Sequence, residues 1–318
     1  MFIASVLITW IVRMLALRAN VIDNPNERSS HTIPTPRGGG LAFVAIWFIG
    51  MTIEFIANNV EQDLYFAMLS GLLIVAVGVV DDIRNVSAKM RLAIQILASA
   101  AALYFLGGFQ RLDFGFYVFE NVYILTPIAL IGFVWFINLF NFLDGIDGYV
   151  GIETVFIFLF IAVMFQDVYA LLLSVAVAGF LVWNWQPAKI FMGDVGSTLI
   201  GFNVAICMTY YSNHDQLSVF IFLIITSAFW FDATYTLIKR WRNKENLGEA
   251  HRKHAYQRVT QSGFSHQKTS LLLLLTNALL GIFAYLAYIY SEYLMLFLLA
   301  SIILLSLIVK YIDRRKPF

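Results

Sequence analysis

Residues 74–85 read IVAVGVVDDIRN, an apolar segment that ends on two adjacent carboxylates, Asp81 and Asp82. The apolar part has the composition of a membrane-spanning helix. Carboxylates at its C-terminal end repel each other, and the helix macrodipole disfavours them further. The pair is compatible with a solvated helix end beside Arg84. It also marks a place where a cation would be stabilising.

The rest of the chain is similarly apolar. Of its 318 residues, 60% are hydrophobic and 13% are charged, and the mean hydropathy is +0.77. A soluble protein carries about a quarter charged residues, so this composition predicts a polytopic membrane protein. The net charge of +1 gives no reason to expect a nucleic-acid partner. The single cysteine, Cys207, lies in an apolar run and cannot form an intrachain disulfide.

Eleven apolar stretches, several of them short, fit the hydrocarbon core of about 30 Å. They predict an all-α polytopic fold with about eleven transmembrane helices and one domain over residues 1–318. The stretches are 2–17, 41–57, 64–80, 91–107, 123–140, 152–165, 168–184, 196–211, 217–238, 270–290 and 293–311.

The basic residues predict the orientation. Arg13 and Arg18 follow the first apolar stretch, whereas a cleavable signal peptide carries its positive residues first. We therefore expect a retained first helix, a periplasmic N-terminus and a cytoplasmic C-terminus. With this arrangement 20 of the 21 Lys and Arg residues fall on the inner side, and only Arg111 falls outside.

Polar connections differ between the two faces. Outside, the alternating residues of 110–123 predict a small periplasmic β-hairpin. Inside, five longer polar connections predict the working face of the protein and its active site. These cytoplasmic loops are 18–40, 81–91, 141–151, 185–195 and 239–269.

Two of these loops add oxygen ligands to the acidic pair. Asn138, Asn141, Asp144 and Asp147 are spaced at three, on one helical face if the helix continues through them. The segment does not fit the calcium-binding loop of an EF-hand, because the glycine and the terminal Glu of that loop would be out of register. Asp194 stands before an apolar helix, where it is either an N-cap or a ligand. Oxygen ligands from three helix ends favour Mg²⁺ or Mn²⁺, and a typical Mg²⁺ site implies a phosphorylated substrate.

Two further loops supply cations for phosphate. His251, His254 and Arg258 fall at i, i+3 and i+7, one face of a helix, with Arg252 and Lys253 beside them. A positive-inside cluster explains part of this pattern, and a zinc pair lacks a third ligand nearby. In HTIPTPRGGG, which starts at His31, Arg37 precedes three glycines whose backbone N–H groups suit an anionic headgroup. A flexible linker is the alternative.

In this order the motifs resemble the polyprenyl-phosphate N-acetylhexosamine-1-phosphate transferases of glycosyltransferase family 4, relatives of the phospho-N-acetylmuramoyl-pentapeptide translocase. The likeness covers nearly the whole chain. It is carried by HTIPTPRGGG, VGVVDDIRNVSAKMRLAIQ, NLFNFLDGIDG, FMGDVGST and HRKHAYQR.

The resemblance implies a bacterial inner-membrane enzyme with its active site facing the cytoplasm. Such enzymes transfer a sugar 1-phosphate from a UDP-amino sugar to undecaprenyl phosphate and release UMP, as in O-antigen or lipopolysaccharide synthesis. HRKHAYQR resembles the O-antigen-initiating members that use UDP-N-acetyl-fucosamine or UDP-N-acetyl-quinovosamine, and UDP-GlcNAc or UDP-GalNAc are the alternatives. We also consider a homodimer.

By that likeness the acidic pair Asp81 and Asp82 would lie beside the reacting phosphates, and Asn141 and Asp194 would hold Mg²⁺. Lys89, Asp144 and Asp147 would line the nucleotide pocket. The patterns of the two cationic loops predict the remaining roles, which are nucleotide-sugar binding by His251, Arg252, His254 and Arg258 and lipid-phosphate binding by His31 and Arg37.

Two other functions fit a polytopic protein with acidic residues. A secondary transporter of an anionic solute places its acids near the bilayer midplane, whereas here only Asp232 lies well inside a predicted span. A membrane phosphatase acting on lipid diphosphates would use water in place of the lipid acceptor. Release of UMP from a UDP-sugar distinguishes the transferase from both.

Overall fold

The computed structural model describes residues 1–25, 30–84, 86–249 and 251–318. Most of this part of the chain is helical, and each of the eleven predicted apolar stretches is occupied by helix. Its α-helices, α1 to α14, are Phe2–Arg18, Gly40–Ile56, Gln62–Leu69, Leu72–Ile83, Ala88–Phe105, Val122–Phe142, Tyr149–Phe165, Val168–Asn184, Asp194–Asn213, Val219–Ile225, Ser227–Arg242, Ala255–Gln261, His266–Ile289 and Leu294–Arg315.

Several helical segments have the length and apolarity of a membrane span. Among the described residues five qualify, and α10 with α11 would make a sixth because they form one predicted span bent by 81°. α2, α7 and α8 are apolar but shorter. The structure thus agrees with a polytopic membrane protein, while eleven spans and the two terminal locations stay predictions. The five are Gln62–Ile83, Ala88–Phe105, Val122–Phe142, His266–Ile289 and Ser291–Arg315.

Two short antiparallel strand pairs accompany the helices. β1 (Ile22–Asp23) pairs antiparallel with β2 (Thr35–Pro36), and β3 (Arg111–Asp113) pairs antiparallel with β4 (Val118–Glu120). The second pair confirms the hairpin predicted within 110–123, and its periplasmic location stays a prediction. The first pair was not predicted, because two-residue strands are too short to show a period of two.

α9 is the central helix of the bundle, and every residue from Val195 to Ser212 is buried. Glycines let neighbouring backbones touch it. A Cβ on Gly78 of α4 would lie 2.9 Å from Cα of Val195, and a Cβ on Gly201 would lie 2.3 Å from the carbonyl oxygen of Phe136 in α6. Small residues at such crossings allow the close helix packing that stabilises membrane bundles. α4 and α6 therefore end beside the beginning of α9.

A polar pair deep in the bundle joins α7 to α13. Asn277 Nδ2 donates a hydrogen bond of 2.6 Å to Oε2 of Glu153, and both residues are fully buried. Within the described part of the chain, Glu153 Oε1 and Asn277 Oδ1 have no hydrogen-bond partner. A buried acceptor without a donor costs free energy, so this pair should respond strongly to the chemistry of residue 153.

We expect Glu153→Gln to keep or raise the thermal unfolding temperature in detergent, because its amide can donate to Asn277 Oδ1 while its carbonyl accepts from Nδ2. Glu153→Ala should instead lower stability by about 1–3 kcal/mol, since it leaves the Asn277 amide unpaired. Unfolding curves of both variants test this. Equal losses in the two variants would contradict it.

Candidate active site

The ends of α4, α6 and α9 open onto an acidic cavity of about 470 Å³. Its walls also include the loop around β2 and the first turn of α13. The lining residues are Asp23, Ser30, His31, Arg37, Asp82, Asn141, Asp144, Gly145, Ile146, Asp147, Asn184, Phe191, Gly193, Asp194, Gln257 and His266. Eight of the predicted site residues are thus at or beside one cavity, and we call it the acidic cavity.

The two adjacent carboxylates of α4 are held differently. Asp81 Oδ1 accepts a hydrogen bond of 2.6 Å from the main-chain N of Val86, and its Oδ2 lies 3.0 Å from an amino nitrogen of Arg91. Asp82 is 7% exposed, and its Oδ1 accepts from the main-chain N of Asp194 at 3.3 Å. Asp82 Oδ2 is buried and has no hydrogen-bond partner among the residues that the structure describes. This oxygen is therefore a ready ligand for a cation.

Asp194 is the first residue of α9, and Gly193 precedes it as the N-cap. Gly193 has φ +75°, and a Cβ there would lie 2.6 Å from Asp82 Oδ2. Only glycine allows this turn to lie against the Asp82 carboxylate. The N-cap alternative for Asp194 is one residue out of register, and its Oδ2 instead lies 3.0 Å from Arg91.

The prediction that two asparagines and two aspartates at the end of α6 share one helical face is wrong. These residues are Asn138, Asn141, Asp144 and Asp147. α6 ends at Phe142, and a turn through Gly148, with φ +75°, leads into α7. Asn141 stays in the helix, where its Nδ2 donates to Ser197 Oγ at 3.2 Å. Asn138 faces α5 and pairs with Gln95.

Asp144 lies in this turn, half-buried in the wall of the acidic cavity. Burial, and then the carboxylates of Asp194, Asp82 and Asp147, raise the pKa of Asp144 to about 8. Crowded carboxylates with little compensating charge repel one another and attract a cation. The acidic cavity is therefore electrostatically suited to a divalent metal ion.

Asp147 is fixed by its neighbours on three sides. Its Oδ2 accepts from the main-chain N of Ala188 at 3.0 Å, and its carbonyl accepts from Ser270 Oγ at 3.3 Å. Its own N–H donates to Nδ1 of His266 at 3.3 Å. Asp147 thus lines the cavity as predicted, and it brings with it a histidine that sequence reasoning missed.

The loop that carries His31 and Arg37 also lines the acidic cavity. Arg37 donates two hydrogen bonds, of 3.1 and 2.9 Å, to the carbonyl of Asp82. The interpretation of exposed glycine N–H groups is wrong at two positions. Gly39 N donates to Phe191 O and Gly40 N donates to Met192 O. The glycines serve close packing, since a Cβ on Gly40 would lie 2.6 Å from Cα of Gly196.

The basic segment is not one helix, so the spacing argument for it was wrong. α12 begins at Ala255, with His254 as its N-cap. The cause lies in α11, where Asp232 accepts hydrogen bonds from the main-chain N–H groups of Ala255 and Tyr256 at 2.8 and 3.3 Å. His254 Nδ1 lies 3.6 Å from Asp232 Oδ1. Asp232 therefore fixes the start of α12.

His251 lies before this helix, in the wall of a second cavity. Burial and the positive charges of its neighbours, His254 first, lower the pKa of His251 to about 4. It is therefore neutral at pH 7 and adds no charge for phosphate binding. Lys89 is exposed in the first turn of α5, and Arg252 precedes His254; neither is among the residues lining the acidic cavity.

Arg258 is 2% exposed and is not among the residues that line the acidic cavity. It pairs with the carboxylate of Asp313, and it donates to the carbonyls of Lys253 and Lys316 at 3.1 and 3.2 Å. Its nucleotide-binding role came from the spacing of the segment, and the structure gives it these partners instead.

We expect Arg258→Ala to lower the free energy of unfolding by about 3 kcal/mol, because one member of a buried ion pair is removed. The donor KM of the folded fraction should stay unchanged. Chemical unfolding and donor titrations of the same preparation measure both quantities. A raised donor KM with wild-type stability would contradict this and restore the phosphate role.

Arg91 is the site residue that sequence reasoning did not select. One of its amino nitrogens lies 3.0 Å from both Asp81 Oδ2 and Asp194 Oδ2. It also lines the second cavity, about 530 Å³, between α5, α6 and α11. The positive-inside rule explained this arginine without a function. Its spacing of ten residues from Asp81 gave no helical signal.

The donor set fits a hard divalent cation. The acidic cavity offers carboxylate and carboxamide oxygens, among them the buried and unpartnered Asp82 Oδ2. Within the described residues, the one group of three His, Cys, Asp or Glu ligand atoms lying within 4.8 Å is elsewhere: Glu61, Asp63 and His214. The acidic cavity thus suits Mg²⁺, which typically takes one or two protein carboxylates and completes its shell with water and substrate phosphate.

Known proteins are similar to this chain in sequence. The family described as "Glycosyl transferase family 4" matches residues 64–212. The chain is 30% identical, over 100% of its length and 94% of the relative, to a probable undecaprenyl-phosphate N-acetylglucosaminyl 1-phosphate transferase of Bacillus subtilis strain 168.

Two further relatives come from other bacterial groups. Identity is 29% to the undecaprenyl-phosphate alpha-N-acetylglucosaminyl 1-phosphate transferase of Escherichia coli K12, over 94% of this chain and 86% of the relative. It is also 29% to the decaprenyl-phosphate N-acetylglucosaminephosphotransferase of Mycobacterium tuberculosis H37Rv, over 83% and 75%. The family resemblance in the sequence motifs is thereby confirmed, and the chain belongs to glycosyl transferase family 4.

Proposed function

We propose that this protein transfers a sugar 1-phosphate from a UDP-N-acetyl amino sugar to undecaprenyl phosphate, in a Mg²⁺-dependent reaction that releases UMP. The observation that carries the proposal is the meeting of three helix ends at the acidic cavity, where Asp82, Asn141 and Asp194 present oxygen ligands next to the cation of Arg91. The relatives, named for N-acetylglucosamine 1-phosphate transfer to polyprenyl phosphates, support it.

The reaction joins two anions. An oxygen of the lipid phosphate attacks the phosphorus that carries the sugar, the bond from this phosphorus to the oxygen of UMP breaks, and UMP leaves with that oxygen. A phosphate monoester is already largely ionised at pH 7, since its second pKa is about 6. A strong general base is therefore not required, and the main task of the site is to screen charge.

Each residue of the site has a role that follows from its position. Asp194 and Asn141 would hold Mg²⁺, which supplies charge stabilisation at the transferred phosphate when bound. Asp81 and Asp82 would lie beside the reacting phosphates, and Asp82 also fixes the start of α9 through the N–H of Asp194. Arg91 lines the second cavity and contacts Asp194 in the wall of the acidic cavity, so it is placed to bind an acceptor phosphate entering from the bundle side.

The second cavity supports a lipid acceptor. It is lined by apolar residues of α5, α6 and α11 and also by polar and charged residues such as Arg240, Glu249 and His254. Arg91 in its wall contacts Asp194 of the acidic cavity. We propose that the polyprenyl chain enters here while the UDP-sugar enters the acidic cavity. The apolar lining residues are Ala88, Leu92, Trp135, Phe142, Ala233, Leu237 and Leu247.

The identity of the donor sugar can be tested with two groups of UDP-amino sugars. The relatives are named for N-acetylglucosamine, so UDP-GlcNAc is the first donor to test. The motif HRKHAYQR favours a 6-deoxyhexosamine such as FucNAc or QuiNAc as the second. Either product would be a first lipid-linked intermediate for O-antigen or another surface polysaccharide, made at the cytoplasmic face of a bacterial inner membrane.

A reconstitution assay tests the function. Purified protein in detergent is given Mg²⁺, undecaprenyl phosphate and each UDP-amino sugar in turn, and both UMP and the lipid product are measured. The proposal requires UMP and sugar-labelled lipid in equal amounts, with neither formed when the acceptor or Mg²⁺ is omitted. Hydrolysis of undecaprenyl diphosphate without need for a nucleotide would indicate a phosphatase. Solute uptake by sealed vesicles without UMP release would indicate a transporter.

A further inference from the structure

His266, the first residue of α13, is positioned as a hydrogen-bond donor to the acidic cavity. Its Nδ1 accepts the hydrogen bond from the main-chain N–H of Asp147 at 3.3 Å. Asp147 Oδ1 is 3.4 Å from the same nitrogen. A proton on Nδ1 would leave the Asp147 N–H without an acceptor, which is costly at a partly buried position. The network therefore assigns the ring proton to Nε2.

The ring is held rigidly by three segments of the chain. Asp147 is tied to Ala188 and Ser270, and the main-chain N of Gln267 donates to Oε1 of Gln186 at 2.6 Å. The His266 side chain is 14% exposed and lines the acidic cavity. Nδ1 is occupied by Asp147, which leaves Nε2–H as the ring atom with no hydrogen bond to a described residue. It has no role in the chemistry described above.

The groups around the His266 ring indicate which kind of acceptor its Nε2–H would bind. The Asp147 carboxylate lies beside the ring, so a phosphate placed here would be repelled. A single N–H donor next to a carboxylate suits an uncharged acceptor, such as a carbonyl or hydroxyl oxygen.

We propose that His266 is a specificity-determining residue for the donor substrate, with Nε2–H donating to an uncharged oxygen of its nucleoside. This inference rests on the proposed function, in which a uridine nucleotide enters the acidic cavity. A cavity of about 470 Å³ falls in the size range of small-molecule sites. The carboxylates and Arg91 then face the phosphates, and His266 faces the uncharged part of the same molecule.

Two substitutions separate the binding role from a structural one. His266→Asn places an oxygen near the position of Nδ1, so it keeps an acceptor for the Asp147 N–H but cannot reach the substrate. His266→Gln places an amide N–H near the position of Nε2 and should restore the substrate contact. His214→Asn makes the same chemical change at the end of α9 that lies opposite Asp194 and serves as the matched control.

The readout is UMP release against UDP-sugar at saturating undecaprenyl phosphate, and against undecaprenyl phosphate at saturating UDP-sugar. For His266→Asn we expect a donor KM raised about tenfold, the size of one net hydrogen bond. Its kcat, acceptor KM and unfolding temperature should stay near wild type, and His266→Gln should recover most of the donor KM. An unchanged donor KM in a folded His266→Asn variant overturns the proposal. So does a parallel loss in both KM values, kcat and unfolding temperature.

UMP binding, measured by titration calorimetry, separates this inference from the proposed function. If the wild-type protein binds UMP but turns over no UDP-sugar, the transferase proposal fails. A roughly tenfold weaker UMP affinity of His266→Asn would still support the role of the histidine. Equal UMP affinity in the variant and the wild type overturns it, whatever the turnover.

Discussion

Replacement of Asp194 by asparagine is expected to abolish Mg²⁺-dependent turnover, with a fall of at least about 10²-fold, while the protein stays folded. Loss of a metal ligand exceeds the 10- to 100-fold cost usual for residues that only support the ligands. Asparagine has nearly the same shape as aspartate and keeps the N–H that donates to Asp82 Oδ1. The start of α9 should therefore be preserved, and only a charged ligand is lost.

The measurement is UMP release over a Mg²⁺ titration, with thermal unfolding of the same sample. Asp215→Asn is the matched control, because Asp215 is an exposed aspartate just beyond the far end of α9, paired with Arg111. It should keep wild-type kinetics. Full activity of folded Asp194→Asn at ordinary Mg²⁺ would remove this residue from the metal site.

Replacement of Arg91 should lower turnover without weakening Mg²⁺ binding. Its guanidinium lies 3.0 Å from carboxylate oxygens of Asp81 and Asp194, so it would compete with a cation for them. Arg91→Met should therefore bind Mg²⁺ as tightly as wild type or more tightly. Turnover should nevertheless fall at least about 10²-fold, because a cation that stabilises transferring phosphates is lost.

Binding of Mn²⁺ as a spectroscopic substitute, together with UMP release, gives the two numbers for each variant. Arg84→Met removes the same charge from an exposed position just after α4 and is the control. A weakened metal affinity in Arg91→Met would show that this arginine supports the ligands instead of competing with the metal. Turnover near wild type would exclude it from phosphate binding.

The helices and the acidic pair were predictable from local signals. Apolar stretches ended close to the observed helix ends, and Asp81 and Asp82 stood out because carboxylates at a helix C-terminus need compensation. Asn141 and Asp194 were selected as oxygen ligands near such ends, and the structure brings both to the acidic cavity with Asp82. The metal itself stays a prediction.

Where prediction failed, contacts between distant segments override the local spacing. The three-residue spacing was misleading because α6 ends at Phe142, so Asp144 and Asp147 lie beyond the helix. The spacing of His251, His254 and Arg258 was misleading because Asp232, far away in sequence, sets the start of α12. No single-sequence pattern reports a cap supplied by another helix.

The two residues that were not selected share a cause. The positive-inside rule already accounts for the charge of Arg91, so the sequence alone gives no further reason to select it. Its 3.0 Å contacts with Asp81 and Asp194 are tertiary. His266 stands alone in a polar turn, and its importance depends on the N–H of Asp147, more than a hundred residues away. Tertiary hydrogen bonds of this kind leave no periodic signal.

The central claim is that carboxylates and a carboxamide from three separate helix ends bind one divalent cation in the acidic cavity. Anomalous diffraction from crystals grown with Mn²⁺ tests it most directly. The account predicts an anomalous peak in that cavity, within bonding distance of Asp194 and Asn141. A peak at the Glu61, Asp63 and His214 group alone, or none in the acidic cavity at saturating Mn²⁺, would contradict it.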